Sequence, residues 1–145
     1  MKLALRTTSA QDAPWHHRLF NWLTRARLVT RFSHSGIVVG DKLMHVTLSD
    51  GLHASEYTPD RWDLFDLGDE RDGEVLALFE RHKGAPYDVL SLLAFVGIPF
   101  RDSKRLYCYE WCYLALTGEH PKGRVTPETL LALAARRKGA AHHAD

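Results

Sequence analysis

Two short stretches of this chain gather residues able to do chemistry. The segment "RLYCYEWCYLALTG" holds both cysteines, Cys108 and Cys112, and "FSHSGIVVGDKLMHVT" holds two of the nine histidines, His34 and His45. A cysteine acts as a nucleophile when an imidazole takes its proton and a further polar group orients that imidazole. A helix starting close to Cys108 would aim unpaired backbone N–H groups and the positive end of its dipole at the sulfur, which favours thiolate over thiol. Cys112 follows one turn later, spaced with Ala115 and Leu116 on a packing face, where cysteine behaves as a small hydrophobe. On one helix the two Cβ vectors run along the same face instead of toward each other, so both are expected as free thiols.

The histidines sit on either side of Gly40-Asp41, a pair suited to the primed turns that join antiparallel strands. With those two as the loop, Val39 faces Lys42, Gly36 faces His45 and His34 faces Thr47. His34, Gly36, His45 and Thr47 then share one face, with the two histidines as diagonal neighbours whose Cα atoms are roughly 7–8 Å apart. Gly36, lacking a side chain, leaves room beside them. A loop one residue longer or shorter would send the two rings to opposite faces. A lone strand histidine is usually structural; for a pair on one face beside a glycine, a structural and a functional role stand equally open.

The elements that would position these groups come in a simple order. "KLALR" alternates apolar and charged residues like a short edge strand, and "APWHHRLFNWLTRARL" spaces Trp15, Leu19, Trp22, Leu23 and Ala26 on one helical face. After the hairpin, "GLHASEY" and "WDLFDL" extend the sheet, and "GDERDGEVLALFERHKG" turns helical with Gly84 as terminator. "PYDVLSLLAFVGI" reads as a second apolar helix with Pro99 near its end, and "CYEWCYLALTG" as a third, closed by Gly118. "TPETLLALAARRK" carries Thr126 as N-cap, Pro127 at the first helical position and basic residues in the last turn. Strands first and helices after them predict an α+β domain, an antiparallel sheet with helices packed against it. The domain spans 1–138 and leaves 139–145 as a flexible tail.

A chain of 145 residues with 45% hydrophobic and 26% charged residues fits one globular core, since such a length buries about 68–70% of its unfolded surface. The net charge is +1. Acids concentrate between Asp50 and Glu80, while Lys and Arg are scattered over residues 1–31 and from Lys122 to Lys138 without a nucleic-acid reading motif, so no nucleic-acid partner is expected. The longest apolar run, "VLSLLAFVGIPF", falls short of the ~20 residues that span a bilayer, and "MKLALRTTSA" lacks a secretory apolar region. No membrane span and a cytoplasmic location are the expectations.

Taken in order, "FSHSGIVVGDKLMHVT", "GAPYDVLSLLAFVG", "RLYCYEWCYLALTG" and "RVTPETLLALA" resemble the landmarks of circularly permuted papain-like cysteine hydrolases, the permuted NlpC-like group with its YiiX-like and phage-encoded members. The resemblance spans roughly residues 32–133. It implies a permuted papain-like fold and a hydrolase without cofactor or metal, in which Cys108 is the nucleophile, His34 the general base and His45 the third polar residue that holds the imidazole. Tyr109 replaces the small residue usual after the cysteine, which would narrow the cleft. Many relatives have an acid where His45 stands, which leaves Glu56 or Thr47 as substitutes. Glu110 and Asp88 match positions with structural roles. The group's usual substrates are amide bonds of peptidoglycan stem peptides, so a peptide or peptidoglycan-like amide is the expected partner. An enzyme acting on cell wall needs a route out of the cytoplasm, which a phage origin would supply.

Three other readings use the same residues. One is a catalytically silent binding module of the same fold. Another is a thioesterase or acyltransferase on lipids, a branch that commonly relies on a hydrophobic anchor. The last is a zinc site built from His34, His45 and Cys108. The hydrolase reading needs the Cys108 sulfur and the His34 imidazole to converge.

Overall fold

A computed structural model of the chain describes residues 1–7, 32–59, 62–88 and 105–141. The helix expected around Trp15 to Ala26, and most of the one expected over "PYDVLSLLAFVGI", lie outside the described residues. Five strands come first: β1 (Lys2–Thr7), β2 (Phe32–Val39), β3 (Lys42–Thr47), β4 (Gly51–Glu56) and β5 (Trp62–Asp66). Three described helices follow, α1 (Asp72–His82), α2 (Cys108–Thr117) and α3 (Pro127–Ala141). The fold is α+β, as the order of patterns predicts. The last helix runs through Ala141, three residues past the expected domain end.

All strand pairs are antiparallel, and the sheet order is β4-β3-β2-β1-β5. Strands β2 to β4 form a meander, whereas β5 crosses over to pair with β1. That crossing makes β1 an interior strand, not the edge strand its alternation suggested. The reason lies in Ala4, the residue between two inward leucines. It is small and apolar, so Leu3, Ala4 and Leu5 are all fully buried and β1 is covered on both faces. Ala4 packs with Val38, Leu43, Tyr57 and Trp62 on the outer face.

The hairpin of β2 and β3 has the register deduced from its turn. Val39 pairs with Lys42 and Gly36 with His45, around Gly40 in the left-handed region. The pleat then sorts the sheet. Leu3, Leu5, Ile37, Met44, Val46 and Leu52 face the helices and form the main core with Val75, Phe79, Trp111, Leu114 and Leu130. Most of α2 is buried, as expected of a helix that is apolar on all sides. Its Trp111 is fully buried, donates Nε1–H to the Met44 carbonyl (3.0 Å) and meets the Phe79 ring edge-on.

Helix ends are closed by the residues suited to them. The Glu110 carboxylate accepts the Tyr107 amide in a capping box at the start of α2, and Gly118, with φ 79°, donates its N–H to Leu114 at the other end. At α3 the Thr126 hydroxyl accepts the Thr129 amide. The acidic first turn and basic last turn of α1 match its dipole.

Strand β4, at the sheet edge, is tied down by the loop after α1. Leu52 donates to the Ala85 carbonyl (2.9 Å) and Gly84 donates to the Leu52 carbonyl (2.8 Å), which occupies backbone groups that an open edge would expose. Gly51 makes that approach feasible. Its φ is +64°, and a Cβ there would collide with the Ala85 carbonyl. Gly51→Ala is therefore expected to lower stability by about 2–3 kcal/mol, from left-handed strain plus the collision. Urea denaturation of the two proteins measures this difference.

Candidate active site

Cys108 is the first residue of α2, where the capping box at Tyr107 and Glu110 starts the helix. The amides of Cys108 and Tyr109 favour its thiolate, as expected of a helix start, and so do the hydroxyl and amide of Ser35. Burial outweighs them. Cys108 is only 4% exposed, and its pKa is pushed up to about 11, because a thiolate removed from water loses more than four dipoles return. The resting sulfur is a neutral thiol, contrary to the thiolate expected from the helix start alone. Cys112 lies one turn deeper, fully buried, and donates its S–H to the Ser35 hydroxyl (3.3 Å). Both are free thiols. Ser35 thus serves both sulfurs from β2.

The histidines assemble on the other side of the sheet. His34 Nε2 and His45 Nδ1 share a hydrogen bond of 2.9 Å, and His45 Nε2 shares one of 3.2 Å with the Ser55 hydroxyl. His53, paired across the ladder with His45, donates Nδ1–H to the Gly51 carbonyl (3.0 Å). Arg6 pairs with both His34 and Trp62, and its guanidinium sits 5.7 Å from the Trp62 ring centroid. Gly36, opposite His45, admits this packing: a Cβ there would come within 2.7 Å of a Leu43 methyl and 3.2 Å of the His45 Cβ.

Burial first, then the neighbouring His45 and Arg6, lower the His34 pKa to about 3. Burial, His53 and Arg6 lower that of His45 to about 4. Both rings are neutral near pH 7. An unfolded chain protonates them near pH 6.5, and the folded chain resists until much lower pH, so acid favours unfolding. Stability present above about pH 6.5 should therefore fall as the pH drops toward 4. His34→Gln should flatten that decline, which unfolding midpoints measured from neutral to acid pH would reveal.

The sulfur and the imidazole lie on opposite sides of β2. Ser35 points toward α2 and contacts Cys108, while His34, one residue earlier, points with Arg6 and His45 to the outer face. No hydrogen bond joins Cys108 to His34 among the described residues. His34 lies next to the irregularity where the β1–β2 register shifts at Thr7 and Phe32. Tyr109, the residue after the cysteine, donates its hydroxyl to the Phe32 carbonyl (3.1 Å) and closes this corner.

The other expected residues fall as follows. His45 is the polar group bonded to His34. Thr47 turns instead to Ser49 and Asp50, and Glu56 is exposed, paired with Lys42. Glu110 caps α2, and the Asp88 amide donates to Leu106 (3.0 Å). Ser35, Ser55 and Arg6 were not foreseen. Among the described residues, no group of three or more His, Cys, Asp or Glu side chains could hold a metal ion, so His34, His45 and Cys108 do not converge as a zinc site. Also among the described residues, no helix is long and apolar enough to cross a membrane. Comparison of the chain with family models, curated proteins and solved structures finds no match.

Proposed function

We propose that the protein is a cysteine hydrolase of the permuted papain-like kind, which cleaves an amide bond, with peptidoglycan stem peptides as the substrate class. The observation that carries the reading is the neighbourhood of Cys108. Its sulfur lies at a helix start against the Ser35 amide and hydroxyl, one residue from a histidine already held by a second histidine. A base with its orienter and a nucleophile with nearby N–H donors are the parts that acyl transfer needs.

In this reading the resting state is closed. Attack begins when the corner at Tyr109 and Phe32 opens and the His34 ring swings past the Ser35 peptide. His34 Nδ1 takes the thiol proton as the sulfur adds to the carbonyl. The amides at the start of α2 stabilise the oxyanion, each worth roughly 3 kcal/mol where such donors are well placed. His34 then gives the proton to the departing amine, leaving a thioester. Water, deprotonated by the same ring, adds to it, releases the carboxylic acid and restores the thiol. In the resting state His45 is bonded to His34 and orients the imidazole before it moves.

The deep burial of Cys108 favours a second reading, a binding module of the same fold with no thiol chemistry. Incubating the purified protein with peptidoglycan fragments, and identifying the products by mass spectrometry, separates the two. The hydrolase yields new carboxyl and amino termini at one type of amide, and Cys108→Ala yields none. Intact fragments, or cleavage that survives Cys108→Ala, would leave the binding module.

A further inference from the structure

Two neutral imidazoles in one hydrogen-bonded chain hold one proton each, so the chain has a direction, and the group at its far end decides it. That group is Ser55, half-buried on β4 and bonded to His45 Nε2 at 3.2 Å. We propose that Ser55 is a positioning residue: its oxygen accepts His45 Nε2–H, which leaves His45 Nδ1 to accept His34 Nε2–H and frees His34 Nδ1 as the base.

The bookkeeping admits one other arrangement. Were the Ser55 hydroxyl the donor, His45 would carry its proton on Nδ1 and give it to His34 Nε2, and His34 would be protonated on Nδ1, useless as a base. Two features favour the first direction. Ser55 is partly exposed, so its own O–H can donate to solvent while its oxygen accepts. Arg6, directly across the ladder from His34, sits on the opposite side of His34 from β3 and His45, and its charge disfavours a proton on the ring nitrogen turned away from His45. The inference rests on the reading of His34 as base but concerns the histidine chain alone. No step in it uses the thiol.

Nitrogen-15 NMR of the imidazoles near pH 7 tests it, recorded on the full chain and on Cys108→Ala so that the result stands apart from any thiol chemistry. His53 is an internal reference, because its carbonyl partner obliges it to carry the proton on Nδ1. The expected spectrum has Nε2–H and bare Nδ1 for both His34 and His45. Ser55→Ala should lose that single tautomer at His45, with a mixture at His34, while Ser55→Thr, which keeps the hydroxyl, should retain it. Circular dichroism checks that both variants are folded. Nδ1–H tautomers at His34 and His45 in the unmodified chain would overturn the proposal, and so would an unchanged spectrum in folded Ser55→Ala.

Discussion

Trp111→Ala should cost about 3–5 kcal/mol of unfolding free energy, the largest loss expected from any single change in the described core. The indole is fully buried, fills the space between α1 and the sheet against Phe79, and satisfies the Met44 carbonyl. Removing it leaves a cavity and takes away the hydrogen bond to strand β3. A domain of this size is stabilised by about 5–15 kcal/mol in all, so the variant should be marginal at room temperature. Trp111→Phe keeps most of the ring packing and loses the hydrogen bond, for about 1–3 kcal/mol. Urea denaturation ranks the three proteins. An alanine variant within about 1 kcal/mol of the parent would mean that α2 is not packed on β3 as described. The consequence extends to the site, because this bond joins the helix that carries Cys108 to the strand that carries His45.

The second large effect concerns activity. Cys108→Ala should remove amide hydrolysis by on the order of 10⁴-fold or more, as loss of a nucleophile does in other acyl-transfer enzymes. His34→Ala should lose about 10²–10⁴-fold, the range for a general base. Cys112→Ala should keep the rate and lose stability instead, since its sulfur lies in the core, bonded to Ser35. The assay follows product formation from peptidoglycan fragments at equal folded protein. A Cys112→Ala variant as inactive as Cys108→Ala would shift the nucleophile's role to the deeper thiol or remove it from both.

Much of the frame was legible because it rests on local rules. The Gly40-Asp41 turn fixed the β2–β3 register and hence the shared face of His34 and His45. The caps of α2 and α3, and the packing role of Cys112, follow from spacing and residue type. What escaped the sequence depends on pairings between distant segments. Nothing in "KLALR" says that β5 will cross over to cover its far side, so β1 read as an edge. Ser55 reaches His45 because β4 pairs with β3 so that Leu43 meets Ser55, a register set by the longer loop through Asp50 that turn rules do not fix. Ser35 could have been foreseen: strand alternation alone turns the residue after His34 to the opposite face, toward the cysteines. The same alternation shows why the shared neighbourhood of Cys108 and His34 is not yet a hydrogen bond. The neutral thiol was missed for another reason. A helix start argues for thiolate, but depth of burial is a property of the packed molecule.

The central claim is that Cys108 and His34 act as one site despite their resting separation. Alkylation of the native protein by iodoacetamide, followed residue by residue with peptide mass spectrometry, tests it most directly. Opening at the corner of α2 and β2 should let Cys108 react well before Cys112, and His34→Ala should slow Cys108 without changing Cys112. If both thiols react together, at the pace of global unfolding and indifferent to His34, the two residues do not share a site and the hydrolase reading falls.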